Sequence, residues 1–148
     1  MASSLKPAVY NCNRIAYICS RKGLPVDVRI SDAELEVMEA LWSAGHPLTA
    51  AEVADRIGSP RGWSLATVKT MLSRLTAKGA VAHREDGRRF LYSPDIGRKA
   101  YVGHESRRFI DRLFGGRLSP LVARLAEEDA LDDEDIAAIE TLLKELKA

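Results

Sequence analysis

The chain has 148 residues, with 22 lysines and arginines against 21 aspartates and glutamates, so its formal net charge is +1. This length fits one domain, or a small domain with an appendage. A composition of 46% hydrophobic and 29% charged residues is that of a globular protein. No apolar run approaches the roughly 18 residues that cross a bilayer, and Cys12 and Cys19 are too few for a disulfide-stapled secreted domain. We therefore expect a cytoplasmic protein without a signal peptide and without membrane insertion.

The near-neutral total conceals a segregation of charge along the chain. Residues 1–30 carry a net charge of +4, residues 31–60 carry −5, residues 61–99 carry +6 and residues 100–148 carry −4. A localised basic segment is the electrostatic footprint of a protein that binds a polyanion. A solvated basic face without a partner gives the same count, so charge alone leaves both interpretations open.

Regular structure is predicted to begin near residue 30. Residues 1–29 show neither helical nor strand periodicity, so we expect a flexible N-terminal extension. Ser31 and Thr49 each begin a capping box, in which the N-cap side chain and a glutamate three residues later satisfy backbone N–H groups that lack helical partners. Apolar residues at helical spacing follow both boxes, which predicts two helices joined by a short link through Pro47.

A third helix is predicted between Ser64, as its N-cap, and Gly79, as its terminator. The face of this helix opposite its apolar residues bears short polar and basic side chains and no acidic ones. The apolar positions, which the spacing places toward the core, are Leu65, Val68, Leu72 and Leu75.

After Gly79 the sequence takes on the alternation of β-strands. Residues 81–84 and 88–93 are predicted to form a hairpin around a turn at Glu85-Asp86-Gly87. Three capped helices followed by a basic-tipped hairpin are the element order of a winged helix-turn-helix domain, which we predict over residues 30–98. Because the basic segment coincides with the third helix and the hairpin, we expect these two elements to bind double-stranded DNA.

The expected DNA contacts divide by side-chain chemistry. Thr67 and Thr70 are short and suit base edges or thymine methyl groups, whereas Lys69 and Arg74 suit phosphates. The hairpin arginines are expected to reach the DNA backbone or the minor groove. The full set of predicted DNA-binding residues is Ser64, Thr67, Lys69, Thr70, Arg74, Arg88 and Arg89.

Residues 99–148 are predicted to form a helical dimerisation domain, so the fold class is mainly α with a small β-hairpin wing. A helix is expected from Lys99 to Phe114, a short one around residues 120–126, and a last one capped by Asp132. These helices are too apolar to stand free and too few to enclose a core, which favours a homodimer. Packing against the first domain of the same chain is the alternative. The expected interface residues are Phe109, Leu113, Leu121, Ile136, Ile139, Leu143 and Leu146.

No motif predicts an enzyme, a cofactor or a metal site. A phosphate-binding glycine loop is absent from the sequence, and His46, His83 and His104 lack the close spacing of metal ligands. Ser64 has no base beside it in the sequence, and N-capping explains it fully. The runner-up to DNA binding is a winged-helix protein–protein interaction module whose basic face docks an acidic partner.

Five sequence motifs follow one another in order. They are Ile30-Ser-Asp-Ala-Glu-Leu-Glu-Val-Met-Glu, Pro47-Leu-Thr-Ala-Ala-Glu, Trp63-Ser-x-x-Thr-Val-Lys-Thr, Arg74-Leu-x-x-Lys-Gly and Phe109-Ile-Asp-Arg-Leu-Phe-Gly-Gly. Together with the last acidic-apolar helix, they resemble the BlaI/MecI family of penicillinase repressors over about residues 30–146. The resemblance implies a dimeric transcriptional repressor, which we expect to bind a pseudo-palindromic operator.

The resemblance also implies release from DNA by proteolysis, triggered by a membrane-bound sensor of β-lactams. The cleaved bond in family members lies just before the phenylalanine that aligns with Phe109, often after asparagine. In this chain it is the bond between Arg108 and Phe109. The helical pattern favours another interpretation, in which Phe109 is an aromatic residue of the dimer core. The family often has lysine where this chain has Ala66.

Overall fold

The computed structural model describes residues 28–58 and 61–148. Apart from Val28 and Arg29, the predicted flexible extension and its two cysteines lie outside the described residues. No helix in the described ranges is long and apolar enough to cross a membrane. The elements are α1 (Asp32–Ala44), α2 (Ala50–Ile57), α3 (Leu65–Ala77), β1 (Val81–Asp86), β2 (Arg89–Pro94), α4 (Arg98–Phe114), α5 (Leu118–Glu127) and α6 (Asp133–Lys147). The prediction of a mainly helical chain with one small hairpin is confirmed.

Both predicted capping boxes are present. Ser31 Oγ accepts the N–H of Glu34, and the Glu34 carboxylate accepts the N–H of Ser31 in return. Thr49 and Glu52 repeat this exchange at the start of α2. Because each box satisfies two backbone donors that the helix leaves free, the boxes fix where α1 and α2 begin.

The core of the N-terminal part forms where the first three helices meet. Val68, Leu72 and Leu75 of α3 are fully buried and pack with apolar side chains of α1 and α2. The prediction that Leu65 shares this buried face is wrong, because its side chain is 43% exposed. Leu65 is the first residue of α3, and the packed part of the helix begins one turn later, at Val68.

The hairpin has an antiparallel register that pairs His83 with Tyr92. Its turn is formed by Gly87 and Arg88, which are enclosed by the paired residues Asp86 and Arg89. The predicted turn at residues 85–87 is therefore too early, and Arg88 lies in the turn instead of in the return strand. Gly87 has a φ of 66°, a value that glycine adopts without strain at the first central position of a hairpin turn.

A backbone bridge attaches the hairpin to the helices. The N–H of Leu48 donates to the carbonyl of Tyr92 at 2.9 Å, and the N–H of Tyr92 donates to the carbonyl of Leu48 at 2.7 Å. Leu48 lies in the short link between α1 and α2. The hairpin is therefore held beside the start of α2 by main-chain hydrogen bonds as well as by side-chain packing.

The chain divides into two compact units between Tyr101 and Val102. Tyr101 is buried with the N-terminal unit, where its ring lies 5.9 Å from that of Trp42, centroid to centroid. Trp42 Nε1 also donates to the carbonyl of Ile96 at 2.9 Å, so the segment after the hairpin is tied to α1. The functional boundaries at residues 30–98 and 99–148 stay predictions.

The C-terminal unit, from Val102 onward, has no buried residue within its own chain. Gly115 and Gly116 end α4 with positive φ angles, and Asp132 caps α6 by accepting the N–H of Asp135 at 2.8 Å. The helices are thus well formed, although many of their apolar side chains are exposed to solvent. The large exposed ones are Val102, Phe109, Leu113, Leu118, Ile136, Leu142, Leu143 and Leu146.

A buried carboxylate joins the start of α1 to the end of α3. Glu34 is only 3% exposed, and Lys78 Nζ donates to its Oε2 at 2.5 Å and to the carbonyl of Arg29 at 2.8 Å. Burial acts to raise the pKa of the Glu34 carboxyl, but the hydrogen bonds from Lys78 and Ser31 outweigh it and lower the pKa below its usual 4.5. The ionised form is therefore the one that the fold stabilises.

This arrangement predicts a pH-dependent stability. Since the folded chain binds fewer protons than the unfolded chain, the contribution of Glu34 is complete above pH 4.5 and is lost as the pH falls through the folded-state pKa. The substitution Lys78→Met should lower the free energy of unfolding by about 1–2 kcal/mol at neutral pH. The value is modest because the ammonium group of Lys78 is partly exposed to solvent in the native chain. Denaturant unfolding in increasingly acidic buffers should show the difference from the native chain shrinking.

The matched control is Lys69→Met, which removes a lysine from the exposed face of the same helix. It should leave the free energy of unfolding unchanged within about 0.5 kcal/mol. A Lys78→Met effect of the same size at every pH would contradict the role given to Glu34.

Candidate nucleic-acid interface

The exposed face of α3 lies opposite its buried face. Because Val68, Leu72 and Leu75 face the core, the intervening positions face solvent. Lys69, Thr70 and Arg74 are placed there as the sequence indicated, and Thr67 is half-buried at its edge. The exposed residues of the helix after Leu65 are Ala66, Lys69, Thr70, Ser73, Arg74 and Ala77. None of them is acidic.

The hydroxyl groups at the start of α3 are engaged with each other. Ser64 Oγ accepts the N–H of Thr67 at 3.2 Å, and Ser64 Oγ lies 3.0 Å from Thr67 Oγ1. The N-cap therefore accounts for the Ser64 side chain structurally. A contact between Ser64 and DNA stays a prediction.

The basic side chains of residues 61–99 fall into two groups. One group is matched by carboxylates, in the ion pairs Arg61–Glu36, Lys78–Glu34, Arg89–Asp86 and Arg98–Glu39. The other group has no hydrogen bond or ion pair with any side chain in the described part of the chain, and it comprises Lys69, Arg74, Arg84, Arg88 and Lys99. Four of these five belong to α3 or to the hairpin, so the uncompensated positive charge is concentrated on those two elements.

The hairpin adds one cation that sequence reasoning missed. Arg84 is exposed on β1 opposite Leu91, an apolar partner that leaves its charge unmatched. The sequence alone could have identified Arg84, because it lies at an outward position of a predicted strand, next to the predicted basic tip of the hairpin. Arg84 and the turn residue Arg88 are the two uncompensated cations of the hairpin.

Arg89 differs from the other predicted DNA contacts because acids surround it. Its Nε and Nη2 both lie 3.1 Å from Asp86 Oδ2. The pKa of Glu52 is lowered chiefly by its hydrogen bonds with Thr49 and to a smaller degree by the charge of Arg89. The positive charge of Arg89 is thus partly cancelled, whereas the charge of Arg84 is not.

The described ranges hold no group of three or more histidine, cysteine, aspartate or glutamate side chains able to bind an ion. The three histidines lie on different elements, and His83 packs edge-on against Phe90 at 5.3 Å between ring centroids. The chemistry that this surface offers is that of cations and short side chains.

The capped helix α3 contributes to a three-helix core, presents a fixed exposed face and lies beside a basic hairpin. This combination defines a winged-helix DNA-binding protein. The chain belongs to the penicillinase repressor family, because the model of that family, described as "Penicillinase repressor", matches residues 30–145. It is a DNA-binding transcriptional repressor and not an enzyme. The alternative of a protein-docking module is not favoured.

The chain is similar to known repressors in sequence and to one solved structure over part of its length. The chain is 38% identical over 119 residues to the penicillinase repressor of Bacillus licheniformis, an alignment that covers 80% of this chain and 92% of the relative. It is 27% identical over 114 residues to the methicillin resistance regulatory protein MecI of Staphylococcus aureus strain N315, covering 77% and 92%. The solution structure of the DNA-binding domain of the repressor BlaI is 42% identical and covers 50% of this chain and 89% of that one, with a TM-score of 0.45.

The division of the cations predicts how DNA binding responds to salt. A cation that neutralises a phosphate releases a counterion, so Arg84→Ala and Arg88→Ala should each lower the slope of log affinity against log salt concentration by about 0.9. Arg61→Ala should leave the slope unchanged, because Glu36 already opposes that charge. Anisotropy titrations of the full chain on one duplex at several salt concentrations measure all three. Equal salt slopes for all three variants would show that ion pairs within the protein do not decide which cations neutralise phosphates.

Proposed function

We propose that the chain works in the cytoplasm as a homodimeric repressor that binds a pseudo-palindromic operator through α3 and the hairpin. The observation that carries this proposal is the concentration of uncompensated cations on those two elements. Lys69 and Arg74 flank the exposed face of α3, where they would grip phosphates on either side of the major groove. Thr70 lies between them and Thr67 lies at the edge of this face, and these two residues would meet base edges.

The dimer is supported by the C-terminal unit. Five of the seven predicted interface residues are exposed there, among them Leu146 at 82%, while Leu121 and Ile139 are half-buried. Exposed apolar area costs roughly 25 cal/mol per Å², so a second copy that covers these side chains stabilises the unit. Sequence reasoning did not include Val102, Leu118 and Leu142, although Leu142 directly precedes a predicted interface residue.

A two-fold dimer explains why the operator should be an inverted repeat. Each copy presents one α3, and two such helices reach half-sites about 10 base pairs apart on one side of the duplex. Once one half-site is bound, the second is held at a high effective concentration. Affinity for the full operator therefore depends on the integrity of the C-terminal unit.

Release by proteolysis fits the same framework. The Arg108–Phe109 bond lies inside α4, and Arg108 Nη1 donates to Glu105 Oε1 at 2.8 Å within that helix. A protease needs an extended substrate, so a membrane-bound sensor protease that cuts this bond would first have to unwind part of α4. Cleavage there would separate most of the C-terminal unit from the DNA-binding unit. In the intact protein, Phe109 serves as an aromatic residue of the interface.

Leu143→Asp tests the dimer. The new carboxylate would be buried without a partner between two copies, at a cost of several kcal/mol, so the protein should become monomeric and lose operator affinity by orders of magnitude. Sedimentation and a parallel binding titration measure the two effects. Asp133→Leu, which alters a charged residue in the first turn of the same helix, is the control and should leave the dimer intact. A dimeric Leu143→Asp variant would place the interface elsewhere.

Thr70→Glu tests the DNA-binding face. An acid at this exposed position would enter the negatively charged groove, so binding to the promoter of the protein's own gene should be abolished in a gel shift while unfolding is unchanged. Ser43→Glu adds the same charge on α1, away from α3, and should retain binding. If both variants bind as the native chain does, the assignment of α3 as the recognition helix is wrong.

A further inference from the structure

The Thr70 hydroxyl is committed to its own helix. Thr70 Oγ1 donates to the carbonyl of Ala66 at 3.0 Å, one turn earlier. A threonine hydroxyl has a single hydrogen to donate, so this bond uses the only donor of the side chain. In this arrangement Thr70 cannot donate to the acceptor atoms of guanine, or to adenine N7 or thymine O4.

The other heavy atom on the Thr70 Cβ is its methyl group. Thr70 is exposed on the side of α3 opposite the core, and with its hydroxyl bonded to its own helix the methyl group is the part left to contact a base. Ala66 and Ala77 are exposed along the same side and carry nothing longer than a methyl group. Long side chains stand only at the flanks, in Lys69 and Arg74, so the middle of the helix can approach the bases closely.

The Thr67 hydroxyl also has a partner within the protein, at the start of the helix. Its Oγ1 lies within hydrogen-bond distance of Ser64 Oγ, and its N–H is bound by the same oxygen. The two threonines nearest the bases thus have hydroxyls with partners in the protein. Breaking the bond from Thr70 to Ala66 in order to donate to a base would exchange one hydrogen bond for another with little net gain.

We propose that Thr70 reads the C5 methyl group of a thymine by apolar contact and determines sequence preference through its own methyl group, with its hydroxyl serving the helix. The proposal rests on the proposed function, in which α3 enters the major groove. Of the four bases, only thymine carries a methyl group in that groove, so apolar contact there distinguishes it from cytosine and from both purines.

The experiment begins with a DNA sequence chosen by the full-length native protein from a random duplex library. Each thymine of the selected sequence is then replaced singly by deoxyuridine, which lacks only the C5 methyl group. At one thymine in each half-site, affinity should fall about fourfold, the value of one buried methyl-sized group. Thymines outside that contact should show no change.

Two substitutions of Thr70 separate the methyl group from the hydroxyl. Thr70→Val keeps the methyl group and removes the hydroxyl, so it should bind within about twofold of the native chain and keep the sensitivity to deoxyuridine. Thr70→Ser keeps the hydroxyl and removes the methyl group, so it should lose about fourfold in affinity and become insensitive to deoxyuridine at that position. Denaturant unfolding checks that both variants remain folded.

The opposite pattern, with Thr70→Val weakened and Thr70→Ser intact, would show that the hydroxyl reads the base and would overturn the proposal. A selected sequence without any deoxyuridine-sensitive thymine would do the same, while DNA recognition by α3 would stand. If the native protein selects no sequence at all, the proposed function fails and the methyl readout fails with it.

Discussion

The complete burial of three side chains of α3 determines which face of that helix is available to DNA. Val68, Leu72 and Leu75 occupy the centre of the core, and rotating α3 about its axis would bring them into water at a cost of about 2 kcal/mol each. The face that carries Lys69 and Arg74 is therefore set by packing on the opposite side of the helix. Lys78 adds a second restraint at the end of α3, through its bond to the buried Glu34.

The two units are stabilised in different ways. The N-terminal unit closes its own core. Main-chain bonds between Leu48 and Tyr92 fasten the hairpin, and the indole of Trp42 ties the segment after the hairpin to α1. The C-terminal unit has well-formed helices and helix ends, but none of its residues is buried within one chain. Its secondary structure is locally encoded, whereas burial of its apolar side chains depends on the second copy proposed above.

Local chemistry made much of this fold predictable from the sequence. The capping boxes at Ser31 and Thr49 act within four residues, so their residue types alone reveal them. The hairpin turn was misplaced because its position depends on the register of two strands, which a run of turn-forming residues does not determine. Leu65 satisfied the helical period but lies before the packed region begins. Which cations are free could not be predicted, since each pairing joins residues distant in sequence, as in Lys78 and Glu34.

The glutamates of α1 have a consequence for how the repressor finds its site. Glu34, Glu36 and Glu39 each neutralise a cation, from the end of α3, from the loop before it and from the first turn of α4. Without these pairs, the flanks of the domain would also attract the duplex, and collisions in unproductive orientations would persist. With these charges neutralised, such collisions would dissociate quickly, and the lasting encounters would be those in which α3, the proposed recognition helix, already faces the DNA. The acidic residues of α1 would thereby act on the orientation of each encounter, through charge alone.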